Sequence, residues 1–293
     1  MNTRRHFFTT LSGAAAAATL RAQDSALSYK GENIQYGLVT YMWGAKWDLP
    51  TLIQNLNEAD VRGVELRVDH AHGVNPDINA EQRSKVRAQF ADAGIELVGM
   101  GCNWEFHSPD AAEVKKNIEG AKQYIKLSHD VGGSGVKVKP NQLPKDVPVE
   151  KTLEQIAKSL AELADYSLGF GQQIRLEVHG GVSDLGHIAQ IMKMADRDNV
   201  RVCWNSNKQD LEGGIESNFA KVQDYLGATT HVRETSAPDY PWDKLASLLV
   251  NADYAGWILL EGHKPPTANA VAALQAEKAK WVEWITAARK AAK

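Results

Sequence analysis

The sequence predicts an α/β protein built as a single (β/α)8 TIM barrel, and three observations predict it. From about residue 30 onward, short apolar runs alternate with longer stretches whose apolar residues recur at three and four spacing, the period of an amphipathic helix. The apolar runs number eight, the count that a barrel of parallel strands requires, in a chain of ordinary barrel length. Several helical stretches run out in glycine, as in DAG, GFG and YAG, which fits helix C-caps feeding the next strand. Strands alternating with helices imply parallel strands joined by right-handed crossovers.

Taken in order, the strand-like runs are IQYGLVTY (34–41), GVELRV (63–68), IELVGMG (95–101), GVKVK (135–139), QIRLEVH (173–179), VRVCWN (200–205), THVRE (230–234) and GWILLEG (256–262). LPTLIQNLNEA, AEQRSKVRAQFADA, AAEVKKNIEGAKQYIKLSHD and KTLEQIAKSLAELADYSL follow the first four as helices. The sixth helix falls within EGGIESNFAKVQDYL and the seventh within WDKLASLLVNAD. An open doubly wound sheet is the alternative, but it would carry a Gly-rich nucleotide loop after its first strand, and TYMWGAKWD has none. No linker, composition break or repeat divides the chain, so residues 30–293 form one domain.

With 293 residues, 43% hydrophobic and 24% charged, the chain buries a full core. A net charge of −3 without a long Lys or Arg run gives no general attraction to phosphate backbones or anionic lipids, so neither nucleic acid nor membrane is an expected partner of the mature protein. Cys102 and Cys203 lie in apolar runs without zinc-finger or Cys-x-x-Cys spacing and read as buried free thiols. At the N-terminus, Arg4-Arg5 precede Phe7-Phe8 and a short Ala-rich stretch, with Ala22 as a cleavage point. Residues 1–22 resemble a twin-arginine export signal, which implies a periplasmic or exported protein; the stretch is too short to span a bilayer, for which about 20 apolar residues are wanted.

In a barrel of this kind the chemistry gathers at the C-terminal ends of the strands. Those ends carry Tyr41 and Trp43; Arg67, His70 and His72; Asn103, Glu105 and His107; Lys137, Lys139 and Asn141; Glu177 and His179; Asn205 and Asn207; His231 and Arg233; Glu261 and His263. On the fifth to eighth strands the chain changes to Glu177, Asn205, His231 and Glu261 at the same depth. Carboxylate, amide oxygen and imidazole together suit Mn, Mg, Co or Zn, with open positions for substrate oxygens. The strand period of two also sets Glu177 with His179, and Glu261 with His263, on one face.

GVELR, RLEVHG, CWNSN, HVRE and LLEGH occur in this order. On them, over about residues 34–290, the chain resembles the xylose-isomerase-like superfamily of TIM barrels, which holds sugar isomerases, sugar 3-epimerases and AP endonucleases, and in particular its sugar phosphate isomerase/epimerase proteins. The resemblance implies one divalent ion, most often Mn, held by Glu, Asp, His and Glu, with the two Glu residues also exchanging the substrate proton. Glu177, His231 and Glu261 match that set. Asn205 stands where those epimerases carry Asp, which lowers the ligand charge by one unit, and Lys208 stands where they place a substrate-binding His.

The catalytic set is therefore Glu177, Glu261, His179 and His263, and the metal set Glu177, Asn205, His231 and Glu261. Substrate contacts are expected from Arg233, Lys137, Lys139, Asn207, His107 and Trp43. The implied activity is removal of a proton α to a carbohydrate carbonyl through an enediolate, ending in isomerisation or epimerisation. Elimination from a keto-glycoside by a lyase is the runner-up, and a sugar-binding barrel that has lost activity through Asn205 is the non-catalytic alternative. AP endonuclease activity needs a basic DNA face, which this acidic chain lacks. Association into a homo-oligomer through the helices is expected by analogy alone.

Overall fold

Each apolar run forms a strand because both of its faces are covered, one by helices and the other by the barrel interior. The fold is seen in a computed structural model that describes residues 29–266 and 269–292. β1 (Gln35–Val39), α1 (Leu49–Glu58), β2 (Gly63–Arg67), α2 (Ala80–Ala93), β3 (Glu96–Glu105), α3 (Ala111–Val131), β4 (Gly135–Lys139) and α4 (Val149–Leu168) make the first half. β5 (Gln173–Glu177), α5 (Leu185–Ala195), β6 (Val200–Cys203), α6 (Ile215–Val222), β7 (Thr229–Val232), α7 (Trp242–Asn251), β8 (Trp257–Leu260) and α8 (Ala270–Ala291) make the second. The expected (β/α)8 barrel is the observed one. Residues 1–22, read as an export signal, lie outside the described residues. Among the described residues no helix is long and apolar enough to cross a membrane.

All strand pairs are parallel, from β1 through β6 in sequence order, with β8 against β1 and β7 against β8. The ring closes between β6 and β7 by isolated bridges alone, Val202 with Leu226 and Asn205 with His231. There the Gly227 N–H donates to Val202 O at 2.8 Å and the His231 N–H to Trp204 O at 2.7 Å.

Most strands end earlier than the alternation of apolar residues indicates. β5 stops at Glu177, β6 at Cys203, β7 at Val232 and β8 at Leu260, because the chain turns away into the βα loops once its inward side chains reach the mouth. β3 is the opposite case and runs on to Glu105 through a register shift after Gly101. The glycine caps are also partly re-assigned. Gly94 ends α2 in the left-handed region (φ 64°), but after α4 that conformation belongs to Gly171 and after α7 to Asp253. Gly256 of YAG opens the next strand instead, where a Cβ would stand 2.5 Å from Tyr254 Oη.

The main apolar core lies between strands and helices and takes Val64 and Leu66 of β2, Val136 and Val138 of β4, and Ile174 and Leu176 of β5. By the period of two, the residues between them point into the barrel. The apolar cluster inside is small, namely Val39, Val98, Trp257 and Leu259 with Tyr41 against it. Glu65, Lys137, Arg175, Glu177 and His231 are buried as well, so the interior is charged.

Candidate metal centre

Four loop-facing strand ends build the centre. Glu177 closes β5, His231 is the third residue of β7, Glu261 directly follows β8, and Asn205 lies two residues beyond β6. One ligand atom from each of Glu177, His231 and Glu261 lies within 4.8 Å of the others, and all three residues are buried. His231 Nδ1 stands 3.4 Å from Glu261 Oε2 and 3.9 Å from Glu177 Oε1. Asn205 joins them through its side-chain amide, which donates to Glu177 Oε1 at 2.9 Å.

The other oxygen of Glu177 is held by a cation of the chain itself. Lys137 Nζ, wholly buried, donates to Glu177 Oε2 at 2.6 Å. Burial opposes the lysine charge, but Glu177 and Glu261 outweigh it and keep the ammonium above its ordinary pKa. Both carboxylates sit below the usual carboxylate range. Burial works against their ionisation, and Lys137 for Glu177 and His231 for Glu261 override it. Burial likewise opposes a charge on His231, which Cys203, Glu65 and Glu261 raise well above the ordinary value.

Behind His231 lies a residue that the strand-end reading missed. Glu65 is fully buried on β2, its Oε1 is 3.3 Å from His231 Nε2, and burial's push on its carboxyl is overcome chiefly by His231. Its signal in the sequence was an acid flanked by apolar residues in GVELR, which demands a buried partner. Gly101 leaves the room for it, since a Cβ there would stand 2.7 Å from Glu65 Oε1.

The donor set fits a divalent cation. Three ionisable donors converge out of water, and neither ring nitrogen of His231 has a hydrogen-bond partner among the described residues. A buried polar atom without a partner is costly unless another group, such as an ion, supplies one. Glu65 opposite Nε2 is the acid that orients a histidine whose other nitrogen faces a metal.

The remaining expected site residues divide. His179 is half-buried just past β5, and its Nδ1–H donates to Asn141 Oδ1 at 2.8 Å, while Asn141 donates to Glu105 Oε1 at 2.5 Å. His107 faces the other oxygen of Glu105 at 3.7 Å. His263 departs from the shared face expected with Glu261, because β8 has already ended; it is exposed in the loop, edge-on to Tyr41 at 6.2 Å. Lys137, expected as a substrate contact, instead has its ammonium committed to Glu177.

Asn207 donates to Val178 O at 2.6 Å and so braces the β6 loop rather than facing a ligand. Arg233 Nε donates to Ser206 O at 3.1 Å and its Nη1 meets Asp239, tying the β6 and β7 loops together. Trp43 is buried against Gly262 and donates from Nε1 to Glu234 Oε1 at 3.4 Å. Trp43, Arg233, Glu234 and His263, from the loops after β1, β7 and β8, line a cleft of about 500 Å³. Lys139 is half-buried at the end of β4, Lys208 is exposed, and Cys102 and Cys203 are buried free thiols.

Comparison with known proteins agrees with this architecture. Residues 53–284 match the xylose isomerase-like TIM barrel family. An L-ribulose 3-epimerase structure superposes with a TM-score of 0.75 at 16% identity, covering 88% of this chain and 97% of that one. The 3-keto-D-glucoside 4-epimerase of E. coli gives 0.71 at 12% identity, covering 86% and 99%. The IOLI protein with a bound zinc atom gives 0.73 at 16% identity, covering 86% and 98%. Among curated proteins none matches. With a family match over most of its length on an eight-strand barrel, the chain belongs to the xylose isomerase-like TIM barrel family.

Proposed function

We propose that the protein is a divalent-metal-dependent enzyme of the sugar isomerase/epimerase type, which moves a proton on the carbon next to a carbohydrate carbonyl. The observation that carries this reading is the buried convergence of Glu177, His231 and Glu261, two ionised carboxylates around one imidazole. Sugar epimerases and a zinc-holding protein of the same fold support it. Glu177, Asn205, His231 and Glu261 would hold the ion, most often Mn in the epimerases of this superfamily, with Mg, Co and Zn as alternatives. When bound, the ion supplies Lewis-acid polarisation of a substrate oxygen and so acidifies the neighbouring C–H.

The chain's own residues do the rest. Glu177 and Glu261 approach from two walls of the barrel, and one takes the proton from the substrate carbon while the other returns it. Lys137 fixes the rotamer of Glu177 and keeps it ionised, the state a base requires. Return to the opposite face of the carbon gives an epimer; return to the adjacent carbon gives an isomer. His179, with Nδ1–H fixed by Asn141, leaves Nε2 for a sugar hydroxyl.

A second reading is favoured by the cleft among the loops after β1, β7 and β8, whose volume of about 500 Å³ accepts more than one sugar ring. A keto-glycoside fits it, and loss of the aglycone from the same enediolate would make the enzyme a lyase. The export-signal resemblance of residues 1–22 supports a periplasmic protein that meets free or oxidised sugars and glycosides; fractionation of cells expressing the full chain tests this.

Incubation with Mn and candidate keto-sugars in D2O should place deuterium at an α-carbon, and aglycone release would identify the lyase. Glu177→Gln and Glu261→Gln should each lower metal occupancy and turnover, whereas Cys102→Ser leaves both intact. Unchanged occupancy in both Gln variants refutes the ligand assignment, and bound metal without any exchange identifies a binding protein.

A further inference from the structure

Two cations at the barrel mouth, Arg67 and Lys139, make no ion pair among the described residues. Arg67 ends β2 and is only 8% exposed, yet its Nε and Nη1 find no hydrogen-bond partner among the described residues. Its guanidinium carbon lies 5.3 Å from the centre of the Tyr41 ring, which covers one side of the group. Lys139 ends β4, half-buried, and enters no ion pair or hydrogen bond seen among the described residues. Burial, then Lys137 and Arg67, push its pKa down, and Glu177 and Glu261 offset them only in part.

No carboxylate among the described residues forms an ion pair with either cation, and the nearest ones face other groups. Glu177 holds Lys137 and Asn205, Glu65 and Glu261 face His231, and Glu105 accepts from Asn141. Arg67 and Lys139 flank the end of β3, for Arg67 pairs in register with Gly101 and Lys139 with Glu105. The glycine keeps that approach open, because a Cβ on Gly101 would come within 3.0 Å of Arg67 Cδ. A buried guanidinium with idle donors costs free energy until an anion or water meets it.

We propose that Arg67 and Lys139 form an anion subsite beside the candidate metal centre, and that the sugar bound there carries a carboxylate, as a uronic or aldonic acid does. This rests on reading the Glu177–His231–Glu261 cluster as the reaction centre. A planar guanidinium meets a carboxylate through paired N–H groups, and the lysine adds a point charge. A phosphate dianion is the poorer ligand, since Glu65, Glu105, Glu177 and Glu261 stand around the mouth and repel a second negative charge.

The test is calorimetric titration of the metal-free full chain with three matched ligands, glucuronate, glucose and glucose 6-phosphate, and with galacturonate and gluconate as further acids. At least one acid should bind about tenfold or more tighter than glucose, the scale of a charge-assisted hydrogen bond. Arg67→Met and Lys139→Gln should each remove that preference and leave glucose unchanged; Arg67→Lys should keep part of it, which separates lost charge from lost folding. Equal affinity for acids and glucose, no binding of any acid, or a preference that survives both variants overturns the subsite. Tighter binding of glucose 6-phosphate than of every acid overturns the carboxylate assignment. Because neither metal nor turnover enters the measurement, absence of deuterium exchange in the preceding experiment would remove the proposed reaction and leave this result standing.

Discussion

Lys137 and Glu177 meet directly at 2.6 Å on adjacent strands, both buried, and removal of one partner leaves the other as an uncompensated buried charge. Lys137→Met is expected to cost roughly 3–5 kcal/mol in the presence of a chelator. Added Mn should return more stability to this variant than to the parent, because the ion replaces the missing ammonium beside Glu177; urea melts with and without EDTA read both effects. Asp210 gives a pH effect of definite sign. It is buried, accepts from Tyr240 Oη at 2.6 Å and from the Asn207 N–H at 2.9 Å, and burial raises its pKa to about 7. An acid whose folded pKa exceeds its unfolded value near 4 contributes stability in full below about pH 4 and loses it as pH rises to about 7. Asp210→Asn keeps both acceptor contacts, so its melting temperature should gain on the parent's as pH climbs through that window. At this scale the sequence was legible where polarity changes abruptly, as at Glu177, His231 and Glu261. It named Lys137 but not its pairing with Glu177, and it passed over Glu65, which lies below the strand end. In a barrel wrapped by helices the apolar face turns outward, and the polar face becomes the buried interior.

Among the elements, loop chemistry and strand length decide what the mouth looks like. Alternation of apolar residues located all eight strands, yet it overran the ends of β5 and β8 by two residues each, and the overrun carried a false inference about His263. Periodicity continues into a loop whenever the loop is itself apolar or glycine-rich, so it marks where a strand begins better than where it stops. Gly262 shows what such a loop needs. A Cβ there would fall 2.2 Å from the indole of Trp43. Gly262→Ala should therefore lower stability by about 1–3 kcal/mol, the usual cost of overpacking, and shift tryptophan fluorescence as Trp43 is displaced. The short α6 follows the same logic: Gly214, at φ 103°, starts it without a side-chain cap, and the helix tightens into a 3-10 turn at Gln223–Tyr225.

For the whole molecule, count and order of elements were enough to give the barrel, because eight parallel strands under right-handed crossovers leave few other closures. What they did not give is where the ring is weakest. β6 and β7 share no continuous ladder, and the contact between Asn205 and His231 that bridges them lies among the candidate ion ligands. The barrel is in this sense a split hoop whose clasp is also its candidate metal centre. A cation gripping both sides of the clasp would tighten the hoop as it binds, so exchange of the Gly227 and His231 amides, which donate across the seam, should slow on adding Mn far more than exchange at the β2–β3 ladder on the opposite wall. Equal slowing on both walls would show that occupancy of the centre and closure of the hoop are separate events.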